Sequence, residues 1–127
     1  MPPHADAASF ISGLQGSDPK YVRVASTPKH FVGYDAPEDN PGRLGFDALI
    51  TEQDLADGYL PAFQAAVQRG NCAGIMCSYN ALNSVPMCAN KPLLTDTLRT
   101  RWGFDGCELS DLIAVLPSSR FAVSLPI

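Results

Sequence analysis

Leu55, Tyr59, Phe63 and Val67 recur every four residues, a spacing that lines one face of a helix with apolar side chains. Thr51 stands just before this run and is placed to cap it, its side chain accepting from the backbone N–H near Asp54. Glu52 and Asp54 in the first turn suit the positive end of the helix dipole. Pro61 interrupts the run and predicts either a kink or the first turn of a second helix, which Arg69-Gly70-Asn71 ends. A second helical pattern puts Leu94, Leu98 and Trp102 on one face, opened by Asn90 and Pro92 and stopped at Gly103. A third starts at Ala7, after a loose terminus over residues 1–6. It places Phe10, Ile11 and Leu14 at helical spacing, stops at Gly16 and leads into the turn Gly16-Ser17-Asp18-Pro19.

Three other runs read as strands. Tyr21 to Thr27 is β-branched and apolar-leaning, and Pro28 ends it. Cys72 to Cys77 is apolar without alternation, as in a parallel strand covered on both faces. Cys107 to Ser110 is the third and ends at Asp111, while Phe46 to Ile50 extends briefly. Helices and strands alternate, with crossovers longer than a dozen residues, so the fold expected is α/β with a parallel sheet. Functional loops of such folds follow the strand ends. The residues there are Lys29 and His30, then Ser78-Tyr79-Asn80, then Asp111. Gly33 to Gly45, with Pro37 and Pro41, is a long irregular loop of a length that tends to be functional or mobile, and the loop to Ala89 carries Asn83, Ser84 and Pro86.

Composition narrows the function classes. At 127 residues the chain fits one domain with a modest core, and 46% apolar with 17% charged residues is globular. A net charge of −4 disfavours nucleic acid or an anionic membrane as partner and is compatible with a neutral sugar. No apolar run is long enough to span a bilayer, and the N-terminus has neither the basic start nor the apolar stretch of a signal peptide. Cys72, Cys77, Cys88 and Cys107 lack the close pairs of structural zinc sites, so no metal is expected. They read first as buried or free thiols, with a bridge such as Cys77 to Cys88 open in an oxidising compartment. A Gly-rich nucleotide-binding turn is absent, and no cofactor is expected.

Lys29-His30-Phe31 with Tyr34-Asp35, Thr51-Glu52-Gln53-Asp54-Leu55, and Tyr59-Leu60-Pro61-Ala62-Phe63 resemble glycoside hydrolase family three, in the manner of its β-xylosidases and β-glucosidases. So do Met76-Cys77-Ser78-Tyr79-Asn80, Val85-Pro86-Met87-Cys88-Ala89-Asn90, Leu93-Leu94-Thr95-Asp96, Trp102-Gly103-Phe104-Asp105-Gly106 and Ser110-Asp111. The match runs in order from about Phe10 to Val115. It implies a partial (β/α)8 TIM barrel over residues 1–115, about three β/α units with parallel strands, and an unmatched tail over 116–127. It also implies a retaining, exo-acting hydrolase of β-linked oligosaccharides or glycosides. Asp111 would be the nucleophile, Lys29 and His30 would bind sugar hydroxyls, and Tyr79 would lie near the nucleophile.

The residue types suit that chemistry. A carboxylate attacks the anomeric carbon through an oxocarbenium-like transition state, and a nearby ammonium and phenol favour its ionised form. Retention also needs a second carboxyl roughly 5 Å away as acid/base. In the family it comes from a later part of the chain. Glu108 is a poor substitute, because its odd spacing from Asp111 puts the two on opposite strand faces. Leu112 stands where xylosidase-like members commonly carry cysteine. The sequence therefore reads as a fragment lacking the acid/base, and the alternative is a catalytically inactive remnant that at most binds carbohydrate. Asp35, Arg43 and Asp47 read as loop-ordering residues outside the site. The family is mostly secreted. Oligomeric state is left open.

Overall fold

The computed structural model describes residues 3–18, 20–35, 42 and 46–110. Asp111, Leu112 and the tail 116–127 lie outside the described residues, as do Pro19, Pro37, Pro41 and Arg43. The architecture is mixed α/β, a portion of a (β/α)8 barrel-type fold. Its main sheet holds β2 (Gly74–Cys77) and β5 (Cys107–Ser110), paired parallel with Gly74 opposite Cys107 and Cys77 opposite Ser110. A third parallel segment lies on the other side of β2. Gly74 N donates to Ser26 O, Met76 N to Pro28 O, Phe31 N to Met76 O and Ser78 N to Phe31 O, and Phe31 bridges Cys77. The expected strand over 21–27 is thus corrected: the pairing covers 26–31, while Tyr21, Val22 and Val24 are exposed and lie outside any strand. Their β-branched character gave the expectation, but among the described residues the sheet bonds begin at Ser26, and Arg23 N donates instead to Gln15 O.

Helix α1 (Pro3–Gln15) starts earlier than the pattern indicated, with proline at its first position, where a missing N–H costs nothing. Its buried face also differs. Ala8, Ile11 and Gln15 face the core, while Phe10 is 69% exposed and Leu14 lies at the margin. Gln15 explains the rotation. Its Oε1 accepts from Ser26 N and Ala73 N, and its Nε2 donates to Asn71 O, so it satisfies backbone groups where the sheet begins. The helix packs close to the chain just past α3 (Leu60–Gln68), where a Cβ added at Gly70 would lie 2.8 Å from Ala66 O and 3.2 Å from Ile11 Cβ.

α2 (Glu52–Asp54), a wider turn (Leu55–Tyr59) and α3 follow one another without a break. Thr51 caps this stretch as expected, its hydroxyl accepting from Asp54 N at 3.1 Å. Ahead of Pro61, Leu60 N donates to Leu55 O. The register widens to i→i+5 just where proline would otherwise leave a carbonyl unserved. Leu55, Tyr59 and Phe63 pack on the core and Val67 is buried, so the four-residue stripe is real. The second pattern is also realised, as a π-helix (Pro92–Arg101) with Leu94, Leu98 and Trp102 buried. Asn90 Oδ1 accepts from Leu93 N at its start, and Gly103 ends it with φ +74°.

The loop 78–89 holds more order than the sequence indicated. β3 (Ala81–Leu82) and β4 (Val85–Pro86) form a hairpin, and β1 (Asp47–Ala48) pairs parallel with β3. Asn83 and Ser84 at the hairpin tip have φ +49° and +69°, the tight two-residue turn that asparagine tolerates. Asp47 takes bonds from Ser84 N and Oγ at 2.9 Å, the loop-ordering role expected of it. Phe31, Ile75, Met87 and Leu98 form the most deeply buried part of the core, and each such side chain contributes about 1.5–3 kcal/mol.

Candidate active site

Phe31 anchors the first strand exit. Its ring is fully buried against Phe63 and Trp102, with centroids 5.0 and 6.1 Å away. Lys29 and His30, expected just past a strand end, instead lie within the paired segment 26–31, because its sheet bonds continue to Phe31. The Lys29–His30 and Phe31–Val32 peptide bonds are both cis. Lys29 is exposed and His30 half-buried.

The Ser-Tyr-Asn stretch divides its labour. Ser78 Oγ donates to Phe31 O and Val32 O at 3.2 and 3.3 Å. Asn80 Nδ2 donates to Val32 O and Ala81 O at 3.3 and 2.9 Å. Both side chains are buried and tie the second strand exit to the first. Tyr79, between them, is half-buried and its ring centroid lies 6.0 Å from that of Tyr34. Tyr34 in turn lies 4.8 Å from the His30 ring. The structure therefore brings His30 and Tyr79 into one aromatic cluster with Tyr34 at its centre. Tyr34 belongs to the stretch that carries the resemblance, but the sequence reading did not place it in the site. Its signal was an aromatic residue one turn of chain beyond His30 in a strand-exit loop.

Cys77 and Cys88 form a disulfide that closes the loop bearing Tyr79. For these two the first reading, free thiols, is corrected: the end of β2 and the turn Met87–Ala89 bring them together. Cys72 and Cys107 are free, the first buried and the second exposed. Burial pushes the Cys72 thiol up to about 11.

At the third exit Ser110 is opposite Cys77, two residues before Tyr79. Asp111 follows Ser110 in the chain and lies outside the described residues. Glu108, earlier on the same strand, is engaged by Arg99, with Nε 2.5 Å from Oε1. Asp35 accepts from the Tyr59 hydroxyl at 2.8 Å, and that bond pushes the phenol above its usual range. A shallow open depression lined by Leu49, Ile50, Asp54, Asp57, Gly58 and Tyr59 holds none of Lys29, His30 or Tyr79.

The model of the glycosyl hydrolase family 3 N terminal domain matches residues 3–122. Beta-D-xylosidase 3 of Arabidopsis thaliana is 40% identical over 113 residues, 86% of this chain and 15% of that protein. The probable exo-1,4-beta-xylosidase xlnD of Aspergillus clavatus is 45% identical over 111 residues, 84% of this chain and 14% of that protein. Among solved structures, a GH3 exo-beta-xylosidase (XlnD) in complex with a xylobiose aziridine activity based probe is similar with a TM-score of 0.83 at 40% identity, over 88% of this chain and 15% of that one. Beta-glucosidase 3B from Thermotoga neapolitana, in complex with glycerol, gives 0.75 at 34% identity, over 85% and 14%. The chain thus spans about 14–15% of the length of these curated relatives.

Proposed function

The chain belongs to glycosyl hydrolase family 3, and on that premise we propose that it carries the nucleophile and part of the sugar-holding wall of a retaining, exo-acting β-xylosidase or β-glucosidase. The substrate is the non-reducing end of a β-linked oligosaccharide or glycoside. Asp111 is the nucleophile, and Lys29, His30 and Tyr79 hold the sugar. One observation carries the reading. Three parallel segments lie side by side with Phe31, Cys77 and Ser110 level; Lys29-His30 stand just before that level, Tyr79 two residues beyond it, and Ser110 is the residue that precedes Asp111.

In the first step an Asp111 carboxylate oxygen bonds to the anomeric carbon as the bond to the aglycone oxygen breaks, and a general acid supplies that oxygen with a proton. In the second, water attacks the same carbon, gives its proton to the conjugate base and releases Asp111. Hydrogen bonds from Lys29, His30 and Tyr79 to sugar hydroxyls tighten as the ring flattens, which lowers the barrier. Glu108 is not assigned the acid, because its carboxylate is held by Arg99. The Cys77–Cys88 disulfide favours an oxidising compartment outside the cytosol.

The test uses aryl β-xylosides and β-glucosides with good leaving groups, which need little protonation. Incubated with the 127-residue chain, they should release the phenol in a burst that Asp111→Asn abolishes. An equal burst from that variant overturns the nucleophile assignment. Silence from a chain shown to be folded by circular dichroism overturns hydrolysis and favours the second reading, a module that binds sugar without cleaving it.

A further inference from the structure

We propose that Tyr34 is a positioning residue for the sugar site: its ring, packed between His30 and Tyr79, holds both in the orientation in which they meet the sugar. This rests on the reading that His30 and Tyr79 contact substrate. The centroid of Tyr34 lies 4.8 Å from His30 at 55°, 6.0 Å from Tyr79 at 58° and 5.9 Å from Phe46 at 34°. These are tilted contacts in the range where aromatic pairs attract beyond simple burial. His30 and Tyr79 come from different parts of the chain, one within the 26–31 segment and one just past β2, and Tyr34 has a ring contact with each.

The backbone around Tyr34 makes it a fixed post. Phe31 and Val32 before it are fully buried, and Val32 O receives bonds from both Ser78 and Asn80. Behind it stands Phe46, which is also buried and whose carbonyl accepts from Ala81 N. A ring set on this support restricts the imidazole and the Tyr79 phenol before any sugar arrives, which lowers the ordering cost of binding. Tyr34 is half-buried with its hydroxyl turned inward, so what it presents to His30 and Tyr79 is its ring.

The proposal is tested on the full chain with two variants, Tyr34→Leu and Tyr34→Phe. The sequence has two histidines, so the His30 imidazole signals are identified by their loss in His30→Gln. Tyr34→Leu should move the His30 ring protons downfield, as the neighbouring ring current vanishes, and Tyr34→Phe should leave them in place. Affinity for a non-hydrolysable thioxyloside should fall about three- to tenfold in Tyr34→Leu and change less than about twofold in Tyr34→Phe, as expected for loss of aromatic contacts. His30 signals unmoved by Tyr34→Leu overturn the proposal, and so does a Tyr34→Phe defect as large as that of Tyr34→Leu. If the wild-type chain binds neither the thioxyloside nor the matching thioglucoside, the sugar-site reading fails. If it binds and Tyr34→Leu binds equally well, only the positioning role fails.

Discussion

β2 and β5 are equal in length, parallel and paired residue for residue, yet they live in different surroundings. Gly74, Ile75 and Cys77 of β2 are buried, with Met76 intermediate, whereas Cys107, Glu108, Leu109 and Ser110 of β5 are all exposed. β2 has the 26–31 segment on one side and β5 on the other, while among the described residues β5 has β2 alone. The difference is one of neighbours before it is one of composition. A strand with hydrogen-bonded partners on both edges and cover on both faces holds its place by burial. Among the described residues β5 has one partner, and polar contacts tie it to the chain before it. The π-helix that leads into β5 carries Arg99, whose Nη1 donates to Phe104 O and Gly106 O at 3.2 and 2.7 Å while Nε meets Glu108.

The largest expected effect lies on the inner strand. Ile75→Ala removes a side chain that is 1% exposed and leaves a cavity among Phe31, Leu98 and their neighbours. It should cost about 2–5 kcal/mol in urea unfolding. Leu109→Ala, on a side chain 42% exposed, should cost under about 1 kcal/mol. Equal losses would break the contrast and mean that β5 is covered in solution, which sedimentation would reveal as self-association.

Next in size is the bridge at the end of β2. Cys77→Ser with Cys88→Ser opens the loop that carries Tyr79. Loop closure of this length is worth about 2–3 kcal/mol. The melting temperature should fall accordingly while β2 keeps its pairing on both edges, visible as unchanged amide protection at Ile75 and at Met76, whose N–H is bonded to Pro28 O. Loss of that protection would mean that the inner strand depends on the bridge rather than on its packing.

How much of this was legible in the sequence follows the same divide. Where burial and local pattern coincide, residues announced themselves: the Leu55–Tyr59–Phe63–Val67 stripe, the Thr51 cap, the Leu94–Leu98–Trp102 face and the unbroken apolar run of β2. Where a polar group does the holding, hydropathy misled. Gln15 is buried because three backbone groups need it, which turned the face of α1 away from Phe10 and Leu14. Val22 and Val24 have strand character but are exposed and lie outside the sheet, with Arg23 between them bonded to the end of α1. The site divides likewise. The motif residues Lys29, His30 and Tyr79 were found by resemblance. Tyr34 emerged only from three-dimensional ring contacts, since spacing along the chain does not reveal a neighbour from another strand exit.

The smallest effects separate the parts of the clamp on β5. Arg99→Gln removes two bonds to main-chain carbonyls, the ion pair and a guanidinium lying 4.9 Å over the Phe104 ring. It should cost about 1–3 kcal/mol, because charge-assisted bonds to partly buried carbonyls are lost along with the pair. Glu108→Gln removes only the ion pair, and both partners are about one-third exposed. Its cost should stay within about 0–1 kcal/mol. In about 1 M salt, where the screening length shrinks to ~3 Å, that cost should approach zero while most of the Arg99→Gln loss survives. Urea titrations of both variants at low and high salt check this. If the Glu108→Gln cost is instead large and salt-independent, the carboxylate is more deeply enclosed in solution than its exposure indicates. β5 would then be covered on that face, and the contrast between the two strands would narrow to their edges.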